Sequence, residues 1–228
     1  MRYEDLNWFD VENYLEIDDR LMIVFGSCEQ HAHLSLLTDV KIPLSLADAA
    51  SKESNVLVAP VVNFGISPYF LAYPGTISLR VETLLDIGED IIRSVYQQGF
   101  RRLLVLNGHG GNDPLKERFY ELANQLELLQ VRWYAWFQSH SVLDIAVKND
   151  LKPAHANWIE AFPFTQIGEL PADDKRPLEV PSMLSSRETR ELFGDGSFGG
   201  PYAVSQNIMQ EIFDMALLDI LQLLKFDL

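Results

Sequence analysis

The chain has 228 residues, of which 47% are hydrophobic and 22% charged, a composition that excludes a mainly disordered protein. We expect a single domain over residues 1–228. Asp and Glu number 33 against 18 Lys and Arg, and the net charge of −15 would repel nucleic acid and anionic membrane surfaces. The chain has one cysteine, which excludes an intrachain disulfide. We expect neither a signal peptide nor a transmembrane helix of about 20 apolar residues, and therefore a cytoplasmic protein.

The first half of the chain predicts two buried strands and a helix. Residues 21–25 and 56–62 are continuous apolar runs of strand length. Residues 83–98 carry apolar side chains at helical spacing, and Gly99 stands where a helix commonly ends in glycine.

The same alternation continues further along the chain. Residues 103–106 predict another buried strand, which runs into a glycine-rich loop at 107–112. Asp113 and Pro114 then predict the N-cap and first residue of a helix, and residues 131–137 predict the next strand.

The C-terminal part is less regular. Prolines interrupt residues 148–200, where we expect long loops that act as a lid or contact another subunit. Residues 203–224 predict a final helix. Strands that alternate with helices are typical of an α/β fold with a layered sheet, in which ligand sites lie at loops leaving the carboxyl ends of strands.

The loop after the first strand carries three groups that can bind a metal. Glu29, His31 and His33 alternate, so in an extended segment their side chains would point to one side, and Asp39 could join if the chain turns back. Imidazole and carboxylate are common metal ligands. The alternative is an exposed polar edge with scattered histidines.

A second histidine lies in the glycine-rich loop. His109 is surrounded by glycines that let the backbone approach a ligand closely. A phosphate-binding loop is the alternative, although the loop lacks the spacing of the known phosphate-binding motifs. A third segment holds His155 and Glu160, which a loop-to-helix junction could aim at one site; otherwise His155 is a surface histidine.

Together these segments resemble the creatininase family of metal-dependent amidohydrolases. That family has motifs close to GSxEQHGPHLPLxTD, FPGTxS, NGHGGN and HAGxxET, in this order. This chain has GSCEQHAHLSLLTD at 26–39, YPGTIS at 73–78, NGHGGN at 107–112 and HANWIEA at 155–161. The combination spans most of the chain and is specific, whereas one motif alone would not be.

The resemblance implies a three-layer α/β/α sandwich with a binuclear metal site. The positions that match metal ligands are Glu29, His31, Asp39, which would bridge, His109, and Glu160 for the second metal. His155 matches a position assigned to proton transfer, and with Glu160 it completes the implied catalytic residues. Zinc, manganese or iron would each suit two such divalent sites. Homo-oligomers, often hexamers, are common in the family.

The chain also departs from the family pattern. Ala32-His33 replaces GPH, Gly111 stands where creatininase has a glutamate, and Tyr69-Phe70 replaces polar groups, which favours an apolar pocket and a substrate other than creatinine. The residues expected to contact substrate are Tyr69, Phe70, Gly110, Gly111 and Cys28, a small wall residue. The backbone N–H groups of Gly108, Gly110 and Gly111 could bind an oxyanion.

The function that follows is hydrolysis of a C–N bond in a small cyclic amide by a hydroxide held between two metals. Two alternatives remain. The same site could serve deformylation, peptide trimming or ring opening of a cyclic ketone. The chain could instead be a relative that binds a metal or metabolite without catalysis.

Overall fold

A computed structural model describes residues 1–179 and 182–227, and its centre is a sheet of four parallel strands in the order β2-β1-β3-β4. The strands are β1 (Arg20–Phe25), β2 (Leu57–Val58), β3 (Arg102–Asn107) and β4 (Gln130–Ala135). The helices are α1 (Trp8–Leu15), α2 (Thr38–Ser54), α3 (Val81–Gln98), α4 (Leu115–Gln125), α5 (His140–Lys148), α6 (Ser186–Phe193) and α7 (Gln206–Leu223).

Helices cover both faces of the sheet, which makes three layers. Met22 and Val24 of β1 pack in one core with α2, α5 and α7. Leu21 and Ile23 point to the other side and pack in a second core with α1, α3 and α4. Because successive strand residues face opposite sides, a strand covered on both faces has an uninterrupted apolar sequence. The prediction of an α/β fold with buried strands is therefore confirmed.

Several boundaries differ from those predicted. The run 56–62 forms only the two-residue β2, because Pro60 has no N–H for a ladder hydrogen bond, although Val62 still pairs with the end of β1. Asp113 has helical backbone angles rather than an N-cap conformation, and α4 begins at Leu115. The strand predicted at 131–137 ends at Ala135, where a 3-10 turn replaces it.

The predicted positions of α3, α7 and the long loops are mostly confirmed, whereas the role of these loops as a lid or subunit contact stays a prediction. Helix α3 ends at Gly99 in the left-handed conformation, with φ of 119°. Residues 149–179 and 182–200 are loops apart from short turns and α6, which sequence patterning missed. Ser185 caps the start of α6 in a capping box. Residues 180–181 of that region lie outside the described ranges. Within those ranges, no helix is both long and apolar enough to cross a membrane.

The register of β1 and β3 positions the site. Phe25 pairs with Asn107, so the two strands end side by side. The loops that follow them, with the predicted ligands at 29–39 and at 109, therefore leave the same edge of the sheet.

Candidate active site

A chain reversal after β1 assembles the first part of the site. Glu29 and His31 are buried in the loop, and Ala32 adopts a left-handed φ of 49°. Helix α2 then places buried Asp39 in its first turn. Gly26 permits this, because a Cβ there would lie 2.6 Å from Val40 Cγ2 and 2.8 Å from the carbonyl oxygen of Asp39.

The left-handed turn also decides where His33 goes. The alternation prediction placed His33 with Glu29 and His31, but the backbone is not extended at Ala32. The His33 side chain is 40% exposed and its Nε2 lies 3.5 Å from Asp195 Oδ2. The expectation that all three groups converge is therefore wrong for His33 and correct for the other two.

Asp39 lies between two histidines from different loops. Its Oδ1 is 3.0 Å from His31 Nε2, and its Oδ2 is 2.9 Å from His109 Nδ1. Two carboxylates complete the cluster: Glu160 Oε1 is 3.7 Å from His31 Nε2, and Glu29 Oε2 is 3.6 Å from His109 Nε2. Among the described residues, three groups could hold a cation: Glu29–Asp39–His109 and His31–Asp39–Glu160, which share Asp39, and Glu29–His31–His155.

Hydrogen bonds behind the two histidines fix which nitrogen each ring presents. His31 donates Nδ1–H to the carbonyl oxygen of Glu29 over 3.1 Å. His109 donates Nε2–H to the carbonyl oxygen of Ile66 over 2.9 Å. The remaining nitrogens, His31 Nε2 and His109 Nδ1, face Asp39, which is the arrangement that orients imidazole ligands for a metal.

The cluster has the properties expected of a cation site. Glu29 Oε2, His31 Nε2 and Asp39 Oδ2 are buried and, among the described residues, make no hydrogen bond of acceptable geometry. Burial without a partner is costly for such groups, and divalent cations held by the two groups that share Asp39 would satisfy all three atoms. The residues therefore fit a metal centre.

The pKa values reflect the same crowding of charge. Burial raises the pKa of Glu29 to about 7. Burial also opposes ionisation of Asp39, but the neighbouring imidazoles outweigh it and hold the pKa of Asp39 below its usual value. The carboxylates correspondingly raise the pKa of His109 to about 9 against the effect of burial. Cation binding at these side chains would therefore compete with protons.

His155 and Glu160 reach the site from one junction, as predicted. Ala156 has a left-handed φ of 53°, and Asn157 caps a 3-10 turn that contains Glu160. Glu160 Oε2 accepts the N–H of Ala156 over 2.7 Å, which leaves Oε1 toward His31.

The hydrogen bonds of Gln30 determine which ring nitrogen of His155 carries the proton. Its Oε1 accepts the N–H of Ala32, so its Nε2 donates to His155 Nε2 over 2.9 Å and to the carbonyl oxygen of Gly196 over 3.2 Å. The neutral His155 ring therefore carries its proton on Nδ1, which lies 3.7 Å from Glu29 Oε1. Burial and the nearby His31 hold the pKa of His155 well below its usual value.

A cavity of about 480 Å³ opens over the cluster. Glu29, Asp39, His109 and Glu160 form its polar part. The apolar part consists of Tyr69, Phe70, Phe137, Pro153, Ala154, Ile159 and Phe198, with His155 beside them. Sequence reasoning missed Gln30, Phe137 and Phe198. Gln30 stands inside the first motif and could have been found there, whereas the two phenylalanines lie in segments without a motif.

The residues expected to contact substrate lie in different places. Tyr69, Phe70 and Gly110 line the cavity. Gly111 instead packs tightly behind the His109 ring. A Cβ at this position would lie 2.0 Å from the carbonyl oxygen of Ile66 and 2.5 Å from His109 Nε2. Cys28 is outside the described cavity lining, and its thiol donates to the carbonyl oxygen of Gly75 over 3.3 Å.

Comparison with known proteins identifies the family. The family model described as "Creatininase: Creatinine amidohydrolase" matches residues 4–224. The chain belongs to the creatininase family. The resemblance noted from the motifs is thereby confirmed.

Three curated relatives are similar to parts of the chain. Creatinine amidohydrolase of Pseudomonas putida is 32% identical over 146 residues, which cover 61% of this chain and 54% of that protein. 3-Dehydro-scyllo-inosose hydrolase of Thermotoga maritima is 22% identical over 166 residues, 70% of this chain and 52% of the other. Mycofactocin precursor peptide peptidase of Mycobacterium tuberculosis is 35% identical over 103 residues, 40% and 41% of the two chains. The matches thus span about half the length of these relatives or less.

Solved creatininases share the fold over nearly the full chain. A variant in a Zn–Zn form has a TM-score of 0.76 at 21% identity, covering 97% of this chain and 95% of its own. A manganese form has a TM-score of 0.75 at 20% identity, covering 97% and 96%. At these identities the likeness establishes the creatininase-type α/β fold.

Proposed function

We propose that this protein is a metal-dependent amidohydrolase that cleaves a C–N bond of a small cyclic amide. The observation that carries the proposal is the position of Asp39, whose two carboxylate oxygens face His31 and His109 at 3.0 and 2.9 Å. A carboxylate between two ligand groups is the arrangement expected of a bridge between two cations.

Two divalent cations would be held by the two groups that share Asp39. Glu29 and His109 complete one group, and His31 and Glu160 complete the other. Bound there, such ions would polarise the amide carbonyl and lower the pKa of a water molecule. The Zn–Zn and manganese forms of solved creatininases support cations of this kind.

His155 and Glu160 would both act beside the reacting amide. In the hydrolysis, the water oxygen bonds to the carbonyl carbon, the C–N bond breaks, and one water proton goes to the leaving nitrogen. Glu160, which lines the cavity, would hold its cation beside the reacting carbonyl, and the family resemblance implies that His155 carries that proton. His155 would present Nδ1–H as a hydrogen-bond donor to the substrate, since Gln30 occupies Nε2. Its proton-transfer role, implied by the family resemblance, remains a prediction that the Gln30 variants described below can test.

Metal content and turnover together test the proposal. Protein purified without chelators should contain about two equivalents of transition metal by elemental mass spectrometry and should hydrolyse at least one member of a cyclic amide panel. Asp39→Asn should lose both properties, whereas Asp214→Asn, on an exposed part of α7, should keep both. Two bound metals without turnover on any amide would contradict the amidohydrolase assignment.

Other reactions at the same site are the second candidate. The relatives include proteins named as an inosose hydrolase and a precursor peptide peptidase, which supports ring opening of a cyclic ketone or peptide trimming as alternatives. Cyclic ketones, formylated amines and short peptides therefore belong in the same panel. Turnover of one of these alone would favour that reaction, and binding without turnover would favour a non-catalytic relative.

Three further expectations accompany the proposal. The identity of the native metal among zinc, manganese and iron, a homo-oligomeric state up to a hexamer, and a cytoplasmic location all stay predictions from the sequence and its family.

A further inference from the structure

The cavity combines a charged floor with an aromatic wall. Phe70 stacks on His155 with ring centroids 4.7 Å apart and an angle of 21° between the rings. Phe198 lies 5.1 Å from His155 and 6.0 Å from Phe70. These three rings form one continuous surface beside the carboxylates of the metal centre. A flat group placed against them would gain apolar contact and ring stacking.

The aromatic wall is held in place by the segment that carries Phe198. Phe198 N–H donates to the carbonyl oxygen of His155 over 3.1 Å, and the Phe198 ring stacks on Phe193 at 4.2 Å. Gly196, two residues before it, accepts from Gln30. The ring is therefore positioned before any ligand enters, which lowers the entropic cost of binding against it.

The described lining offers no cationic side chain to an anionic substituent. Among the described residues that line the cavity there is no Lys and no Arg, and all of its carboxylates belong to the floor. A carboxylate or phosphate group away from the scissile bond would lie against apolar walls and lose hydration without compensation. Tyr69 contributes to the lining, and the residue as a whole is 36% exposed.

We infer that the substrate is an uncharged amide bearing a flat, apolar ring next to the C–N bond that is cleaved. This inference rests on the proposed function. The ring would lie against Phe70 and Phe198 while the amide lies over Glu160 and Asp39. The cavity of about 480 Å³ is within the range of roughly 300–1,000 Å³ that is common for small-molecule sites.

Matched hydantoins test this inference, because one five-membered cyclic amide can carry different side groups. We would compare benzyl, methyl and carboxymethyl hydantoins in kcat/KM on metal-loaded protein, and in binding by saturation-transfer NMR on loaded and chelator-treated protein. The benzyl compound should exceed both others by about tenfold or more, the discrimination expected when a pocket gains or loses an apolar group. Equal or better use of the carboxymethyl compound would overturn the inference while leaving the amidohydrolase proposal intact.

The two failures are distinguishable. If no hydantoin is hydrolysed but the benzyl compound binds best, the proposed reaction is wrong for these amides. The inferred preference for a flat, apolar ring then still holds. If none binds, the inference fails.

Two variants test which residues determine the preference for the benzyl compound. Phe198→Ala should lower kcat/KM for the benzyl compound by about tenfold more than for the methyl compound. Tyr69→Arg, at the exposed edge of the lining, should improve binding of the carboxymethyl compound relative to the benzyl compound. Trp8→Ala, an exposed aromatic residue of α1, is the matched control and should change neither ratio. Unaltered ratios in a folded Tyr69→Arg variant would contradict the inference even if Phe198→Ala did not fold.

Discussion

The side-chain amide of Gln30 donates to His155 Nε2 over 2.9 Å, and this bond decides which ring nitrogen carries the proton. Rotation of this amide group by 180° would break a second hydrogen bond, because its oxygen accepts the N–H of Ala32 over 3.0 Å. A protonated Nε2 would face another donor. His155 is therefore kept as a neutral ring with its N–H on the side of Glu29.

Gln30→Glu should reverse this hydrogen bond, because a carboxylate accepts from Nε2–H and favours the protonated ring. We expect the wild-type His155 to show the Nδ1–H tautomer in ¹⁵N NMR of histidine-labelled zinc protein, and the variant to show protonated Nε2. On a confirmed substrate, kcat should fall by roughly 10- to 100-fold, as for other residues that orient a reacting group through a hydrogen bond. Gln97→Glu, exposed on α3, is the control. A wild-type ring protonated on Nε2 would refute the donor role of His155.

Removal of metal should destabilise the protein. The buried carboxylates of Glu29, Asp39 and Glu160 lie close together, and a cation bound only in the folded state adds to the free energy of unfolding in proportion to its affinity. Treatment with EDTA should therefore lower the Tm measured by calorimetry, and zinc should restore it. In Asp39→Asn the Tm should no longer respond to EDTA or zinc. An identical response in wild type and variant would show that the stabilising ion binds elsewhere.

Two neighbouring glycines should respond differently to alanine. A Cβ on Gly111 would lie 2.0 Å from the carbonyl oxygen of Ile66 and 2.5 Å from His109 Nε2, whereas a Cβ on Gly110 would meet nothing within 4 Å. Gly111→Ala should lower the free energy of unfolding by about 1–3 kcal/mol in urea titrations, as other overpacked sites do, and should reduce metal content. Gly110→Ala should change stability by less than about 0.5 kcal/mol. Equal effects of the two substitutions would contradict the close packing behind His109.

Asp195 should make a pH-dependent contribution to stability. Burial alone would raise its pKa, but hydrogen bonds from Lys175 and Tyr202 outweigh burial and lower the pKa below its usual value. A lowered folded pKa adds stability above the unfolded value of about 3.9, and this stability is lost as the pH falls through the folded pKa. Asp195→Asn should therefore cost under about 1 kcal/mol at pH 7, because the group is partly exposed, and less at pH 3. Urea unfolding at both pH values measures this, and a cost that grows toward pH 3 would contradict the assigned cause.

The sequence predicted the sheet better than the loops. Strands such as β1 and β3 are covered on both faces, so their burial appears directly as an apolar run. The predicted ligands follow from four motifs that occur in family order. His109 and Glu160 do lie close to Asp39, and their binding of metal stays a prediction.

Features that depend on backbone paths between motifs were not predictable. Alanine rarely adopts the left-handed conformation, so the sequence does not predict it at Ala32. That conformation places the His33 side chain beside Asp195. Phe198 reaches the cavity through a loop held by contacts with distant residues such as His155. Such tertiary contacts leave no local pattern in the sequence.

The side-by-side ends of β1 and β3 have a consequence for the order of events during folding. Asp39 and His109 come from segments that are 70 residues apart and meet only when the strands before them pair. A nascent or partly folded chain that has not formed this pair offers a cation separate weak ligands and no shared carboxylate. High-affinity metal uptake should therefore be a late step that reports the completed central sheet, and metal loading measured during refolding would follow strand pairing and not precede it.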